Sequence, residues 1–334
     1  MPRICYLCIM VEKHIIDNVL EDIFSSPLFP DEPEGLYSPL EYMVSIGGKR
    51  LRPRLCLTSY SFFSGDFGPG IRGAAKALEL YHTFTLIHDD IMDKSPLRRS
   101  HETVWKKWGE ETAILSGDEM INQSLLSLMA VPSERLRPAM ELLVKTSSDV
   151  CRGQQYDMEF ENELHVTMER YLMMTGLKTS ALLACSAKMG AVVAGAADKT
   201  CDALYRYGWN LGLAFQIADD YLDAYGDPAV FGKPIGGDIL NNKKSWMLTR
   251  CNEKRPSCLD AIMGMPVSTQ EQKKAKVAAA MEVYSSLSLG SEARAEILRF
   301  HNLALEDAAS AFGARTPEYK CLEEIASKLV GRTK

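Results

Sequence analysis

The 334-residue chain lacks the basic excess that a nucleic-acid partner calls for: its formal net charge is −6, whereas proteins that displace counterions from phosphate backbones present a basic face. Any anion site must therefore be a local cluster of Lys and Arg. The nine Cys show no regular spacing, and their one C-x-x-C pair, Cys5 and Cys8, has no second pair to complete a four-ligand set, so nothing suggests a zinc site or a disulfide framework, and reduced thiols in a cytoplasm fit best. No run reaches the ~20 apolar residues of a membrane span, and the nearest, Ala181 to Ala197, is interrupted by Lys188. Low-complexity segments and fixed-period repeats are also lacking, and alternating strand patterns are nearly absent. With 46% hydrophobic residues the chain reads as a globular, helical protein. The apolar stretch Ile4 to Val11 has no small-residue cleavage site and runs into Glu12-Lys13, so residues 1–11 are expected to form an N-terminal tail of the mature chain, with initiation at Met10 as an alternative.

Apolar residues recur at helical spacing along most of the sequence, as in Leu204, Leu211, Phe215, Ala218 and Leu222. Pro and Gly clusters at Ser25 to Tyr37, Ser64 to Gly70, Lys94 to Gly109, Tyr225 to Asp238 and Cys251 to Pro266 punctuate this pattern and predict loops between helices. None is long or biased enough to be a linker, so residues 1–334 are expected to be a single all-α domain.

Two Asp-rich segments stand far apart in the chain. Asp89-Asp90-Ile91-Met92-Asp93 closes an apolar helix predicted to begin near Arg72, and Asp219-Asp220-Tyr221-Leu222-Asp223 follows another apolar stretch. Asp89 and Asp93, like Asp219 and Asp223, are four apart and project from one helix face, where like charges destabilise the helix unless a cation lies between them. Carboxylate-only ligands suit hard Mg²⁺, which keeps waters and also binds substrate phosphates. The inference is a diphosphate held between two facing Asp-rich helices through bridging Mg²⁺.

Basic residues supply the other half of such a site. Gly47-Gly48-Lys49-Arg50-Leu51-Arg52 offers two glycines for close backbone approach and three cations within four residues. Arg98 and Arg99 follow the first Asp-rich segment, where their planar forks could reach the same phosphates. Lys178-Thr179, Lys233 and Lys243 complete the set.

In this order, from about Leu40 to Leu248, these residues resemble the trans-type polyprenyl (isoprenyl) diphosphate synthases. The matching landmarks are Gly48-Lys49-Arg50-x-Arg52-Pro53, His82, Asp89-Asp90-x-x-Asp93, Arg98-Arg99, Gly153-Gln154-x-x-Asp157, Lys178-Thr179, Gln216-x-x-Asp219-Asp220-x-x-Asp223, Gly232-Lys233, Asp238 and Lys243. The resemblance implies an isoprenoid-synthase-like helical bundle around a deep cavity, usually a homodimer. It further implies a Mg²⁺-dependent head-to-tail condensation of isopentenyl diphosphate with an allylic diphosphate (dimethylallyl, geranyl or farnesyl). By the same analogy Gly48, Lys49, Arg52, His82 and Arg99 bind isopentenyl diphosphate. Arg98, Lys178, Thr179, Gln216, Lys233 and Lys243 serve the allylic diphosphate, and Asp89, Asp93, Asp219 and Asp223 serve the metal. Phe84 and Thr85, five and four residues before Asp89, stand where the floor of the cavity would set a product of fifteen to twenty carbons.

The sequence departs from the family pattern at three places: Ser100-His101-Glu102 follows the Arg pair where Gly and then x-Pro-Thr-Val are usual, Asn122 replaces a small residue, and Ser245 replaces Thr. Two alternatives are a class I terpene cyclase, disfavoured by the intact second Asp-rich segment together with Lys49 and Arg52, and a non-catalytic partner subunit, in which damaged Asp-rich segments are the rule.

Overall fold

The computed structural model describes residues 6–25, 27–226 and 235–331. It is all-α apart from one two-stranded hairpin. In chain order the helices are α1 (Tyr6–Ile23), α2 (Glu34–Ser45), α3 (Leu51–Ser61), α4 (Pro69–Met92), α5 (Val104–Trp108), α6 (Glu110–Leu128), α7 (Ser133–Glu161), α8 (Met168–Thr175), a π-helical turn (Gly176–Ser180), α9 (Ala181–Ala194), α10 (Asp198–Tyr225), α11 (Gly237–Leu240), α12 (Trp246–Lys254), α13 (Asp260–Met263), α14 (Gln270–Ser286), α15 (Leu289–Phe312) and α16 (Pro317–Val330). Strands β1 (Leu97–Arg98) and β2 (His101–Glu102) pair antiparallel between α4 and α5. The region Cys251 to Pro266, expected to be a loop, instead continues α12 to Lys254 and adds the short α13. Pro256 falls between the two helices, and Gly264 and Pro266 follow the second. Helix α4 likewise starts three residues before the expected Arg72, because Pro69 occupies its first turn, where no N–H is needed. Residues 6–11 of the expected tail open α1.

Two compact units are distinguished. The first comprises Met1–Lys145 and Cys185–Tyr205, the second Thr146–Ala184 and Arg206–Lys334.

In the first unit α4 packs on α6 and α3, and α2 packs on α6. The buried face of α4 carries Ile71, Ala74, Ala75, Ala77, Leu78, Leu80, Tyr81, Phe84 and Ile87, a helical-period stripe whose larger side chains each contribute about 2 kcal/mol of transfer free energy. Small residues set the α4–α6 spacing: Ser124 Oγ donates to the Ala77 carbonyl at 2.7 Å, and a Cβ on Gly117 would strike the His88 ring. His88 is accordingly a packed residue whose Nε2 lies 3.2 Å from the Ile114 carbonyl oxygen.

In the second unit α12 packs on α8 and α15, α14 on α15, and α15 on α16. Side-chain caps start several of these helices. Thr167 caps α8, Ser245 caps α12, and Thr269 with Gln272 forms a capping box on α14, each such cap contributing about 1 kcal/mol. The run Met168–Ala194 is long and apolar enough to cross a membrane by length and composition, but it carries Glu169, Arg170, Lys178 and Lys188 and 61% of its most apolar window is buried within the protein.

Candidate active site

In the first unit the carboxylates of the first Asp-rich segment lie at the C-terminal end of α4. Asp89 is in its last turn and Asp93 is its C-cap, with the Asp93 N–H donating to the Asp89 carbonyl at 2.8 Å. Negative charge at this end opposes the helix dipole, and α4 has no Lys or Arg in its last turn. The central residue behaves differently. Asp90 is buried, 1% exposed, and accepts two hydrogen bonds of 2.8 Å from Arg98 Nε and Nη2. Burial raises the Asp90 carboxyl above its ordinary range, Arg98 opposes the shift, and Asp93 adds to it.

Arg98 reaches Asp90 because the chain reverses tightly just beyond it. Arg99 and Ser100 both have positive φ, 51° and 66°, as a two-residue hairpin turn between right-twisted strands requires. This turn places the Arg99 guanidinium over Gly48, where a Cβ would lie 2.6 Å from Nη1. Gly48, at φ 151°, is thus needed both for its backbone angle and for the room it leaves.

Arg50, Arg52 and Arg99 gather around one buried acid that sequence reasoning did not single out. Glu79, on α4 and 3% exposed, accepts a 2.7 Å hydrogen bond from Arg50 Nη1, while Arg50 Nη2 donates to the Val44 carbonyl at 2.6 Å. Arg50 is thereby a structural cation. Arg52 is lowered to about 10 by burial, with the Arg99 charge adding and Glu79 opposing. Its Nε is buried with no hydrogen-bond partner among the described residues. Burial lowers Arg99 also, with Arg98 and Arg50 adding and Glu79 opposing. His82, one turn beyond Glu79, is pushed well below the ordinary imidazole range by burial and then by Arg52, Arg99, Arg98 and Arg50; it is neutral at pH 7. A buried guanidinium with an unmet donor, beside a second arginine and a neutral imidazole, is a site for an anion with several acceptor oxygens. Lys49 is exposed at its edge. Phe84 is buried edge-on against Tyr81 and His88, with ring centroids 5.1 Å apart in both pairs, and Thr85 Oγ1 donates to the His82 carbonyl at 2.7 Å.

The second unit holds the other residues. Asp219 and Asp223 stand one turn apart near the C-terminal end of α10, whose last turn also carries no Lys or Arg. Asp220 between them is buried, 4% exposed, and spends its oxygens on the protein: Oδ2 accepts from the Tyr171 hydroxyl at 2.6 Å and the Trp246 N–H at 2.7 Å, and Oδ1 accepts from Gln216 Nε2 at 3.0 Å. Gln216 Oε1 in turn accepts from Thr179 Oγ1 at 3.0 Å. Thr179 and Lys178 lie on the π-helical turn Gly176–Ser180, a local widening common at functional sites. Gly153 of α7 passes so close to this turn that a Cβ there would strike the Lys178 backbone, which gives the Gly153-Gln154-x-x-Asp157 motif a physical reason. One turn along α7, Asp157 Oδ2 accepts from Lys178 Nζ at 2.5 Å.

Lys178, Thr179, Gln216, Asp220 and Tyr171 line a polar pocket with Asp157, Lys243, Lys244 and Ser245. Asp223 faces the loop after it: its Oδ2 accepts from the Asp238 N–H at 3.0 Å. Burial raises its carboxyl above the ordinary range, with the Asp238 N–H and Lys243 among the groups opposing. Lys243 Nζ lies 3.8 Å from Asp238. Lys233, with Gly232, lies outside the described residues.

Both Asp-rich segments therefore divide the same way: a buried central carboxylate holds the protein together, and an outer pair stands at the negative pole of its helix. The described residues show no cluster of three or more His, Cys, Asp or Glu side chains converging on one point. Asp93 is exposed and Asp89, Asp219 and Asp223 are half-buried; two such carboxylates one turn apart suit a cation that completes its coordination with phosphate oxygens and water. Of the departures from pattern, Ser100 takes the positive φ that Gly would take without strain, Ser245 caps α12 as Thr would, and Asn122 is exposed and donates to Glu119.

Comparison with known proteins follows the same lines. The polyprenyl synthetase family model matches residues 33–283. A short chain isoprenyl diphosphate synthase of Methanothermobacter thermautotrophicus is 42% identical over 237 residues, 70% of this chain and 73% of that protein. A geranylgeranyl diphosphate synthase of Methanosarcina mazei is 40% identical over 247 residues, 73% of this chain and 75% of that one. The crystal structure of a geranylgeranyl pyrophosphate synthase superimposes with a TM-score of 0.89 at 37% identity, covering 96% of this chain and 98% of its own.

Proposed function

The chain belongs to the polyprenyl synthetase family and is a prenyltransferase, and from that premise we propose that it condenses isopentenyl diphosphate head to tail with an allylic diphosphate to give a short-chain prenyl diphosphate. The observation that carries this reading is the pair of helix ends, α4 and α10, each carrying two outer carboxylates one turn apart with no Lys or Arg in the last turn. A cation at such an end relieves both the unfavourable charge–dipole interaction and the like-charge repulsion.

The family works with a divalent metal, and the donor set here, oxygen only, favours Mg²⁺ at Asp89, Asp93, Asp219 and Asp223. When bound, Mg²⁺ would neutralise diphosphate charge as the allylic carbon–oxygen bond breaks. Arg52, Arg99, neutral His82 and Lys49 would hold isopentenyl diphosphate against the Gly48 backbone, with Arg52 Nε gaining the acceptor it lacks. Lys178, Lys243 and Lys233 would grip the departing diphosphate where charge develops. Thr179 Oγ1 and Gln216 Oε1, fixed by the Asp220 network, would turn their dipoles to the allylic cation. No side chain stands out as the final base, so the released diphosphate is assigned the proton.

Phe84, packed between Tyr81 and His88, would limit the product to fifteen to twenty carbons, with twenty preferred. The same reading takes residues 1–334 as one synthase domain, the Met168–Ala194 run as core helix, the location as cytoplasmic and the assembly as a homodimer. Exposed Leu115 and Leu126 on one face of α6, with Met129 at its C-cap, each 58–60% exposed, support the last. Measuring diphosphate release from the allylic substrate with and without isopentenyl diphosphate tests the proposal. A synthase releases it only with both substrates, whereas release from the allylic substrate alone would make the chain a cyclase.

A further inference from the structure

The second unit also holds two thiols in contact. The Sγ atoms of Cys251 and Cys258 lie 3.2 Å apart, and a disulfide needs ~2.05 Å, so closure asks for roughly 1 Å of sulfur movement. The backbone arranges this approach. Cys251 is in the last turns of α12, its carbonyl accepts from the Arg255 N–H at 2.9 Å, and the Arg255 carbonyl accepts from the Cys258 N–H at 3.3 Å. The chain leaving the helix thus folds back and sets Cys258 over Cys251. Cys251 is buried and Cys258 half-buried, which gives one sulfur an outward path and leaves the other beneath it. Burial and the Cys258 neighbour hold the Cys251 thiol well above its ordinary range, and the Arg255 charge opposes them. The two cysteines thus have unequal roles in exchange.

The far end of α12 is bound into the second Asp-rich network. The Trp246 N–H donates to Asp220, and Ser245 lines the same pocket as Lys178 and Thr179. Along its side, Glu253 Oε1 accepts the Met168 N–H at 2.7 Å, at the start of the α8 helix whose Tyr171 also holds Asp220. Five residues, ~7.5 Å along the helix axis, separate Trp246 from Cys251.

The geometry points to Cys251 and Cys258 as a thiol–disulfide switch, closed by a small-molecule disulfide and acting on the second Asp-rich pocket through α12. The Cys258 thiolate attacks one sulfur of the oxidant and releases one equivalent of its thiolate. Cys251 then gives up its proton and attacks the Cys258 sulfur, releasing the second. The protein loses two electrons and two protons, the oxidant becomes two thiols, and a dithiol reductant reverses the exchange. The effect on the pocket rests on the reading of that pocket as the allylic diphosphate site; formation of the bond does not.

The test treats the whole chain with oxidised glutathione or with dithiothreitol. Peptide mapping, tryptophan fluorescence and KM for the allylic diphosphate are then measured. The expected result is a Cys251–Cys258 bond within one chain, a fluorescence change reporting on Trp246, and a KM shift of about fivefold that dithiothreitol reverses. C258S, outside the pocket, keeps the reduced-state activity and loses all three responses; C251A does the same if the serine variant folds poorly. Absence of the bond, a lasting glutathione adduct on Cys258, or a bond that leaves fluorescence and KM unchanged overturns the switch. Failure of the underlying functional reading looks different: the fully reduced chain elongates nothing, while bond formation and fluorescence still decide whether the thiols act on α12.

Discussion

Asp90 and Arg98 are joined by two parallel hydrogen bonds of 2.8 Å, a bidentate pair in which the carboxylate is almost wholly buried and the guanidinium is 26% exposed. The pair fastens the hairpin that carries Arg99 to the end of α4. In Asp90→Asn the partly buried guanidinium loses its counter-charge. The expected cost is about 3 kcal/mol, seen as a lower midpoint in urea unfolding, with metal affinity at the outer carboxylates changed far less. Asp89→Ala should do the reverse. It should weaken metal-dependent diphosphate binding roughly tenfold or more while leaving the unfolding free energy within about 0.5 kcal/mol. Calorimetric titration of both variants beside urea melts separates the two roles.

Tyr171→Phe tests the equivalent anchor in the second unit. The hydroxyl is one of three donors to Asp220, so its removal leaves a buried carboxylate one bond short, at an expected 1–3 kcal/mol. Because Asp220 orients Gln216, the variant should also lower kcat with a smaller change in KM for isopentenyl diphosphate. An unchanged kcat in a folded variant would show that the network does not position the pocket.

Ser100 carries a left-handed backbone at φ 66°, which costs a non-glycine residue roughly 1 kcal/mol. Ser100→Gly should therefore raise the melting temperature by a few degrees with activity unchanged. Differential scanning calorimetry decides the point, and a lower Tm would contradict the turn assigned to Arg99-Ser100.

His82 makes stability depend on pH. Its folded value lies well below the ordinary 6.5, so above that pH the imidazole is neutral in both folded and unfolded chains and contributes no pH dependence. As pH falls below about 6.5 the unfolded chain takes up the proton first, and stability declines by up to ~1.4 kcal/mol per unit until the lowered folded value is reached. Unfolding midpoints at pH 8 and pH 5.5 should diverge more in the native chain than in His82→Asn.

Much of this was legible in the sequence. Spacing of four placed Asp89 with Asp93 and Asp219 with Asp223 on shared helix faces, and the Gly47-Gly48 pair marked a close approach without naming Arg99 as what approaches. Glu79 could have been noticed: an acid on the apolar stripe of α4, three residues before His82, is a charge the core must answer. The π-helical turn under Lys178 and Thr179 leaves no periodic signal, since it inserts one residue into an otherwise helical run. Tyr171 looked like any core aromatic, because only the fold brings its hydroxyl to Asp220. The assignment of Arg98 to a phosphate did not foresee that its fork already meets Asp90.

The claim that the chain is a short-chain synthase is tested most directly by chromatography of the dephosphorylated products formed by the purified chain. The reactions contain labelled isopentenyl diphosphate and dimethylallyl, geranyl or farnesyl diphosphate, with Mg²⁺ or a chelator. The account predicts labelled prenyl alcohols ending at fifteen to twenty carbons, formed only with Mg²⁺ and only with both substrates, and longer products from Phe84→Ala. No labelled product from the chain alone would contradict it, as would a ladder of products well beyond twenty carbons from the native protein.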